Sequence, residues 1–310
     1  MVDSLTATEL KGTQVIACPL CRKKNSSKII RKGIRENPSI PVYRCGWCHI
    51  VFIAQGASNP TPGLVSPSEH FTLYRPLQED RLRYFKNHVP PGGTVLVLGC
   101  SSGYFLDVLR NDYEVYGAES SVADAEFVRS TLQLPCEEGT INEVYPGKMF
   151  TAIVAFNVLP QQADPMRFLY ALKNRLIGGG WLYLELPSHE QALIALYDIP
   201  EFRTDFYNES WLTYWDIMNL SNALAATGFE ATVTNQQETS FHNHLWWLWQ
   251  RRPMDSIRDA IEYRCPVGEK HPLFPFMARF FYRNDKEYRL NRENAKVADT
   301  LVAMARRSEI

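Results

Sequence analysis

The stretch Val95-Leu96-Val97-Leu98-Gly99-Cys100-Ser101-Ser102-Gly103-Tyr104-Phe105-Leu106, followed by Glu119 at the end of the next apolar run, decides how this chain is read. TVLVLG (94–99) is short and almost wholly apolar, as expected of a strand buried on both faces. A glycine turn follows, and SGYFLDVLRND (102–112) has helical spacing. Backbone N–H groups therefore gather at a helix N-terminus, a natural seat for an anion or a polar ligand. Glycine at 99 and 103 predicts that a ligand approaches the backbone closely. YEVYGAE (113–119) reads as the next strand. An ionised carboxylate at its end, Glu119, can accept from both hydroxyls of a ribose. The spacing is not the G-x-G-x-x-G of dinucleotide sites, and the G-K-[ST] of phosphate loops is absent.

Strand and helix signals alternate outward from this stretch. Upstream, Phe71, Tyr74, Leu77, Leu82 and Phe85 recur at helical spacing, predicting a lead-in helix broken near Pro76. Downstream, SSVADAEFVRSTLQ (120–133) is a helix that opens on capping serines. FTAIVAFNVL (150–159) is a strand, and DPMRFLYALKNRLI (164–177) is a helix closed by Gly178, Gly179 and Gly180. WLYLELP (181–187) is a strand, WDIMNLSNALAATG (215–228) a helix, FEATVTNQ (229–236) a strand and LWWLWQ (245–250) a last apolar strand. Such alternation predicts an α/β fold of Rossmann-like type, a parallel sheet with helices on both faces. Three units are expected: a small module over 1–60, the α/β domain over 61–252, and a helical extension over 253–310. The Gly/Pro/Ser-rich segment QGASNPTPGLVSPSEH (55–70) reads as the linker after the first unit.

The 310 residues carry a net charge of −1, which argues against a dedicated nucleic-acid binder. The polar N-terminus lacks an export signal and no run approaches the ~20 apolar residues of a spanning helix, so a cytoplasmic protein without membrane contact is expected. Four of the seven cysteines form two C-x-x-C pairs, Cys18/Cys21 and Cys45/Cys48, with 23 residues between them. Two such knuckles can close a tetrahedral thiolate shell, the structural geometry of Zn2+, and leave no open position for catalysis. The segment is too short for a core of its own and needs that staple. Its Lys and Arg residues permit nucleic-acid binding, but a solvated charged face is the favoured reading.

VLVLGCSSGYFLDVLRNDYEVYGAESS (95–121), the segment 150–188 with its D-P and G-G-G turns, and WLTYWDIMNLSNALAATGFE (211–230) together resemble class I S-adenosylmethionine-dependent methyltransferases over roughly residues 70–250. The fused four-cysteine module is similar to that of sugar and natural-product methyltransferases, and zinc modules also occur in RNA methyltransferases. The resemblance implies S-adenosyl-L-methionine as cofactor. Gly99, Cys100, Ser101 and Gly103 would line its methionine and ribose portions, with Glu119 and Ser120 at the ribose, Thr140 and Ile141 at the adenine, Phe156 and Asn157 at the fourth-strand end, and Tyr74 as a cover. The family's polar acid near the adenine is missing here. So are two histidines: Val158-Leu159-Pro160-Gln161 stands where V-L-E-H is frequent, and Ser210-Trp211 where E-H is. His189, His242, His244 and Tyr207 are the substitute candidates for acid–base work, the two nearby histidines lying on one face of the last strand. A small-molecule acceptor is the leading expectation. An RNA acceptor held by the basic module, or a cofactor-binding subunit without turnover, remain the alternatives.

Overall fold

The computed structural model describes residues 16–24, 26–53, 66–261 and 269–309. The expected linker falls largely at 54–65, outside the described residues, and so does Cys265.

The N-terminal unit is an antiparallel ribbon of β1 (Ser27–Arg31), β2 (Val42–Cys45) and β3 (Val51–Ile53). Each C-x-x-C closes a tight turn: Arg22 N–H donates to Cys18 O at 3.0 Å and His49 N–H to Cys45 O at 3.1 Å. The residues after the second cysteines, Arg22 and His49, both take φ of 62°. The same local geometry thus appears twice, once per knuckle.

The body begins with the broken lead-in helix, α1 (Pro67–Tyr74) and α2 (Glu79–Lys86), joined by a 3-10 turn over Arg75–Gln78. Then follow β4 (Thr94–Leu98), α3 (Tyr104–Leu109), β5 (Glu114–Glu119), α4 (Val122–Ser130), β6 (Cys136–Glu138), β7 (Phe150–Phe156), α5 (Pro165–Arg175) and β8 (Leu176–Pro187). The chain continues through α6 (Ala192–Ala195), α7 (Pro200–Phe206), β9 (Thr213–Tyr214), α8 (Ile217–Ala226) and β10 (Phe229–Gln236). It ends with α9 (Phe241–Gln250), α10 (Ile257–Ile261), α11 (Phe274–Asn294) and β11 (Thr300–Arg307). Side chains cap several helices: Ser121, Asp164, Asp216 and Ser240 each accept from a backbone N–H in the first turn of α4, α5, α8 and α9.

The main sheet runs β10-β11-β8-β7-β4-β5-β6. Its five strands from β8 to β6 are parallel, while β11 is antiparallel to both neighbours. Connections leave β4 towards β5 on one side, and β7 lies on the other. Ligands of open α/β sheets collect at such a switch point, beyond the carboxyl ends of the strands.

Three expectations need correction. LWWLWQ belongs to helix α9, whose run Phe241–Gln250 is started by the Ser240 cap and buries only Asn243, His244 and Trp247. The C-terminal tail is helical over α11, but Thr300–Arg307 is a strand inserted between β8 and β10. Its residues 300–305 are buried, and cross-strand pairing on both sides holds them extended. Finally, Gly178–Gly180 do not close a helix. α5 ends at Arg175, Leu176 is already extended, and the glycines lie in the irregular first half of β8.

The ribbon and the body share a core. β3 pairs antiparallel with β9, Val51 opposite Tyr214 and Phe52 opposite Thr213. Cys18, Cys45, Ile50 and Phe52 pack in one buried cluster with Leu159, Phe168, Trp215 and Leu220. Arg22 also pairs with Asp164 at the start of α5.

Candidate functional site

The turn after β4 takes left-handed backbone at Gly99 (φ 66°), Ser101 (φ 50°) and Gly103 (φ 81°). The physical need for glycine differs from the expected one. A Cβ on Gly99 would lie 2.6 Å from Cγ2 of Val158, and one on Gly103 2.7 Å from Cδ1 of Leu132 and 2.8 Å from Cγ2 of Val128. The glycines let the turn pack against the β7 loop and α4. Ser101 and Asn157 (φ 59°) are the non-glycine residues held left-handed just past β4 and β7. Backbone strain of this kind costs about 1–3 kcal/mol and concentrates at ligand sites.

Glu119 joins the turn to the next helix. Its Oε2 accepts from Ser101 N–H at 2.8 Å, and its Oε1 from Ser120 N–H at 2.7 Å and Ser121 N–H at 2.9 Å. The Ser120 hydroxyl also donates to Oε1, at 3.2 Å, whereas among the described residues Oε2 accepts from Ser101 N–H alone, so the second lone pair of Oε2 is the position left for a ligand hydroxyl on a group already fixed in orientation. Above the turn, Nδ1 of His70 lies 2.9 Å from Oγ of Ser101, and the His70 ring meets Tyr74 and Tyr104 edge-on. Tyr74 stacks on Tyr104 at 5.5 Å. Burial lowers the His70 pKa, with Asp124 and Glu119 opposing. His70 is absent from the expected residues. The one signal for it is its position one helical turn before Tyr74.

The other expected cofactor positions divide. Cys100 turns its thiol inward, 3.7 Å from the sulfur of Cys136 and beneath Gly117, so only its backbone belongs to the turn. Thr140 N–H and its hydroxyl both donate to Oε2 of Glu143 at 2.8 Å, while Ile141 is buried in the core. Phe156 packs edge-on against Phe105 and Tyr183, and Asn157 N–H donates to Glu185 O at 2.7 Å. Ser120 is exposed at the start of α4.

A charged cluster lies over Phe156. The Arg81 guanidinium, 4.7 Å above that ring, donates from Nε to Glu185 at 2.6 Å and from NH2 to Glu238 at 2.9 Å. Its third edge faces Gln78 at 3.3 Å. Glu185, only 2% exposed, also accepts from the Tyr183 hydroxyl. Burial pushes the Glu185 pKa up, while Arg81 pulls it down. Nearby Asp299 accepts from Glu238 N–H, Thr239 N–H and the Thr239 hydroxyl. Burial, with the charge of Glu238, raises its pKa to about 6. These residues come from the 3-10 turn and α2, β8, the β10–α9 loop and the residue just before β11. No local spacing links them, so the sequence does not reveal the cluster.

The expected acid–base residues sort into one pair and two outliers. Nε2 of His189 and the Tyr207 hydroxyl share a hydrogen bond of 2.7 Å just beyond β8, and His189 N–H donates to Trp215 O. Burial, then the charges of Arg44 and Arg203, lower the His189 pKa to about 4. Burial raises that of Tyr207 to about 12. His189 is therefore neutral at pH 7. His242 and His244 are on helix α9, not on a strand face. Two residues apart on a helix, they point in different directions. His244 is buried, with Nδ1 2.5 Å from the Tyr288 hydroxyl, and burial lowers its pKa to about 3. His242 is only partly covered.

The ligand atoms of Cys18, Cys21, Cys45 and Cys48 all lie within 4.8 Å of one another. The Cys18–Cys48 and Cys21–Cys45 sulfurs are 3.5 and 3.6 Å apart. Tetrahedral Zn–S bonds of about 2.3 Å require sulfurs about 3.8 Å apart. The cluster fits a structural zinc ion.

A glycine turn and an oriented carboxylate at the carboxyl-edge switch point place this chain among the α/β folds whose ligands bind at that edge. The sequence profile of the family described as a methyltransferase domain matches residues 69–234. The chain belongs to that family and is a class I S-adenosylmethionine-dependent methyltransferase. Among solved structures it is similar to a SAM-dependent methyltransferase from Archaeoglobus fulgidus, with 16% identity, 77% of this chain and 97% of that one covered, and a TM-score of 0.50. It is also similar to the magnesium protoporphyrin IX methyltransferase of Synechocystis PCC 6803 with bound SAH, with 11% identity, 80% and 90% coverage and a TM-score of 0.48. A possible histamine N-methyltransferase from Thermotoga maritima gives 17%, 77%, 99% and 0.45. No curated protein matches by sequence.

Proposed function

We propose that the chain transfers a methyl group from S-adenosylmethionine to a small-molecule acceptor, such as a nucleotide-sugar or natural-product intermediate. The observation that carries this reading is Glu119, locked by three backbone N–H groups beside the glycine turn at the switch point. Glu119 would hold the ribose hydroxyls, with Ser101, Gly99 and Gly103 along the methionine side and Tyr74 and His70 above. The cofactor supplies an electrophilic methyl on its sulfonium. The protein supplies alignment and exclusion of water, which carry much of the rate of such a transfer.

The acceptor side lies between Phe156, the Arg81 cluster and the His189–Tyr207 pair. Glu185, His189 and Tyr207 there are buried, which suits a small acceptor better than a polymer. A histidine with a pKa near 4 is a weak base at neutral pH. The pair is therefore assigned to orienting the acceptor by hydrogen bonding. The four cysteines hold structural zinc and take no part in the chemistry. Among the described residues no helix is long and apolar enough to cross a membrane.

Incubation with methyl-labelled S-adenosylmethionine and a fractionated cell extract tests this reading. Label is expected in the low-molecular-weight fraction. Label confined to RNA would replace the small-molecule acceptor with an RNA one. Tight S-adenosylhomocysteine binding without transfer to any fraction would favour a non-catalytic subunit.

A further inference from the structure

We propose that the outer face of the cysteine ribbon docks single-stranded nucleic acid, with lysines meeting phosphates and Trp47 stacking on a base. Residues 16–53 contain eight Lys and Arg but a single acid, Glu36, a net of +7. The whole chain carries −1, so the remaining residues carry −8. The charge is sharply segregated. Part of the positive set is spent on the body: Arg22 pairs with Asp164, Arg31 donates to the Thr204 hydroxyl, and Arg35 faces Asp205. Lys23, Lys24, Lys28 and Lys32 remain exposed, and among the described residues none of the four has an ion-pair partner.

One of these lysines, Lys23, lies against an aromatic that the fold leaves outside. Trp47, at the tip of the second knuckle, is 68% exposed, with the Lys23 ammonium 4.8 Å from its ring centroid. Gly46 N–H donates to Ser26 O at 2.6 Å, which ties this tip to the start of β1 and so to Lys28. Exposed aromatics beside a cationic track are the elements of sequence-tolerant single-strand binding. A protein partner adding a strand to β1 is disfavoured by the edge itself. The strand carries a bulge between Ile29 and Arg31, contains Lys28 and is followed by Lys32, which are features that block edge pairing.

The ribbon sheet runs β1-β2-β3-β9, so β1 lies three strand spacings, about 14 Å, from the strand that joins the body. On its inner side the ribbon reaches the acceptor side of the body, where Arg35 N–H donates to Tyr207 O at 2.8 Å. Phosphate contacts on the outer face would hold the enzyme near a nucleic acid while a small acceptor is methylated.

The test uses the full zinc-loaded chain and fluorescein-labelled oligouridylate and oligoadenylate, followed by anisotropy over a range of NaCl concentrations. Four phosphate contacts give a slope of about −3 in log K against log salt, from about −0.7 per contact on a single strand. The quadruple variant Lys23→Ala/Lys24→Ala/Lys28→Ala/Lys32→Ala is expected to flatten that slope. Trp47→Ala should lower affinity at least about fivefold with the slope unchanged, and Trp47→Phe should restore most of it. Zinc content should match wild type in each variant. Three results would overturn the proposal: no RNA binding at low salt, tighter binding to phosphatidylserine vesicles than to RNA, or equal competition by polyglutamate with Trp47→Ala silent.

Discussion

Glu119→Ala removes one carboxylate and, with it, three backbone hydrogen bonds. Oε2 loses Ser101 N–H, in the strained turn, and Oε1 loses Ser120 and Ser121 N–H at the start of α4. Ser120 is exposed and water replaces its partner, whereas Ser101 and Ser121 are partly covered. A net of about 1 kcal/mol for each covered donor and less for the exposed one gives a stability loss of about 2–3 kcal/mol. Ligand affinity falls further, because the acceptor for the ribose hydroxyls is gone. The loss of a charge-assisted bond predicts about 1–3 kcal/mol, or roughly 5- to 150-fold in Kd for S-adenosylhomocysteine. Glu119→Gln keeps one acceptor oxygen but sets its amide N–H against a backbone N–H. It should fall between wild type and alanine in both readouts. Urea unfolding and isothermal calorimetry on the same preparations separate the two effects. An alanine variant that is destabilised as expected but binds S-adenosylhomocysteine like wild type would refute the reasoning. The carboxylate would then be a loop staple and not a ligand group.

Three more expectations follow from the geometry. Arg81→Met leaves Glu185 buried without its cation and should cost about 3–5 kcal/mol in urea unfolding. Adding Glu185→Gln should recover part of that loss, and a stable single variant would show that Glu185 is protonated in the native protein. Mercurial titration should release one zinc ion per chain. Because Cys18 and Cys45 pack with Phe52 and Trp215, metal loss should lower the melting temperature of the body as well; modification of all four thiols without metal release would exclude the zinc site. His189, depressed to about 4 against about 6.5 unfolded, adds stability that is complete above pH 6.5 and lost as pH falls through 4, about 3 kcal/mol in size. Asp299, raised to about 6, acts with the opposite sign: its contribution is lost as pH rises from about 4 to 6. His189→Gln should therefore flatten the acid limb of the stability profile between pH 6.5 and 4, and an unchanged limb would remove His189 from that role.

The sequence by itself determined the parts whose physics is local. An apolar run ending in Gly99, a helix starting at Gly103 and an acid closing the next strand are short-range patterns, and they locate the switch point and Glu119. Paired C-x-x-C knuckles are equally local, since each turn closes through its own backbone, and the four sulfurs converge as their spacing predicts. Where local and distant forces compete, only the tertiary structure decided. Leu301, Val302 and Met304 fall in the tail expected to be helical, yet they form a strand because β8 and β10 offer hydrogen bonds on both sides. Leu245–Gln250 has the composition of a strand, yet the Ser240 cap and the buried His244–Tyr288 contact hold it in a helix. The Arg81–Glu185–Glu238 cluster joins residues as many as 157 positions apart. Such ion pairs form wherever folding brings charges together out of water, and no periodicity in the chain encodes them.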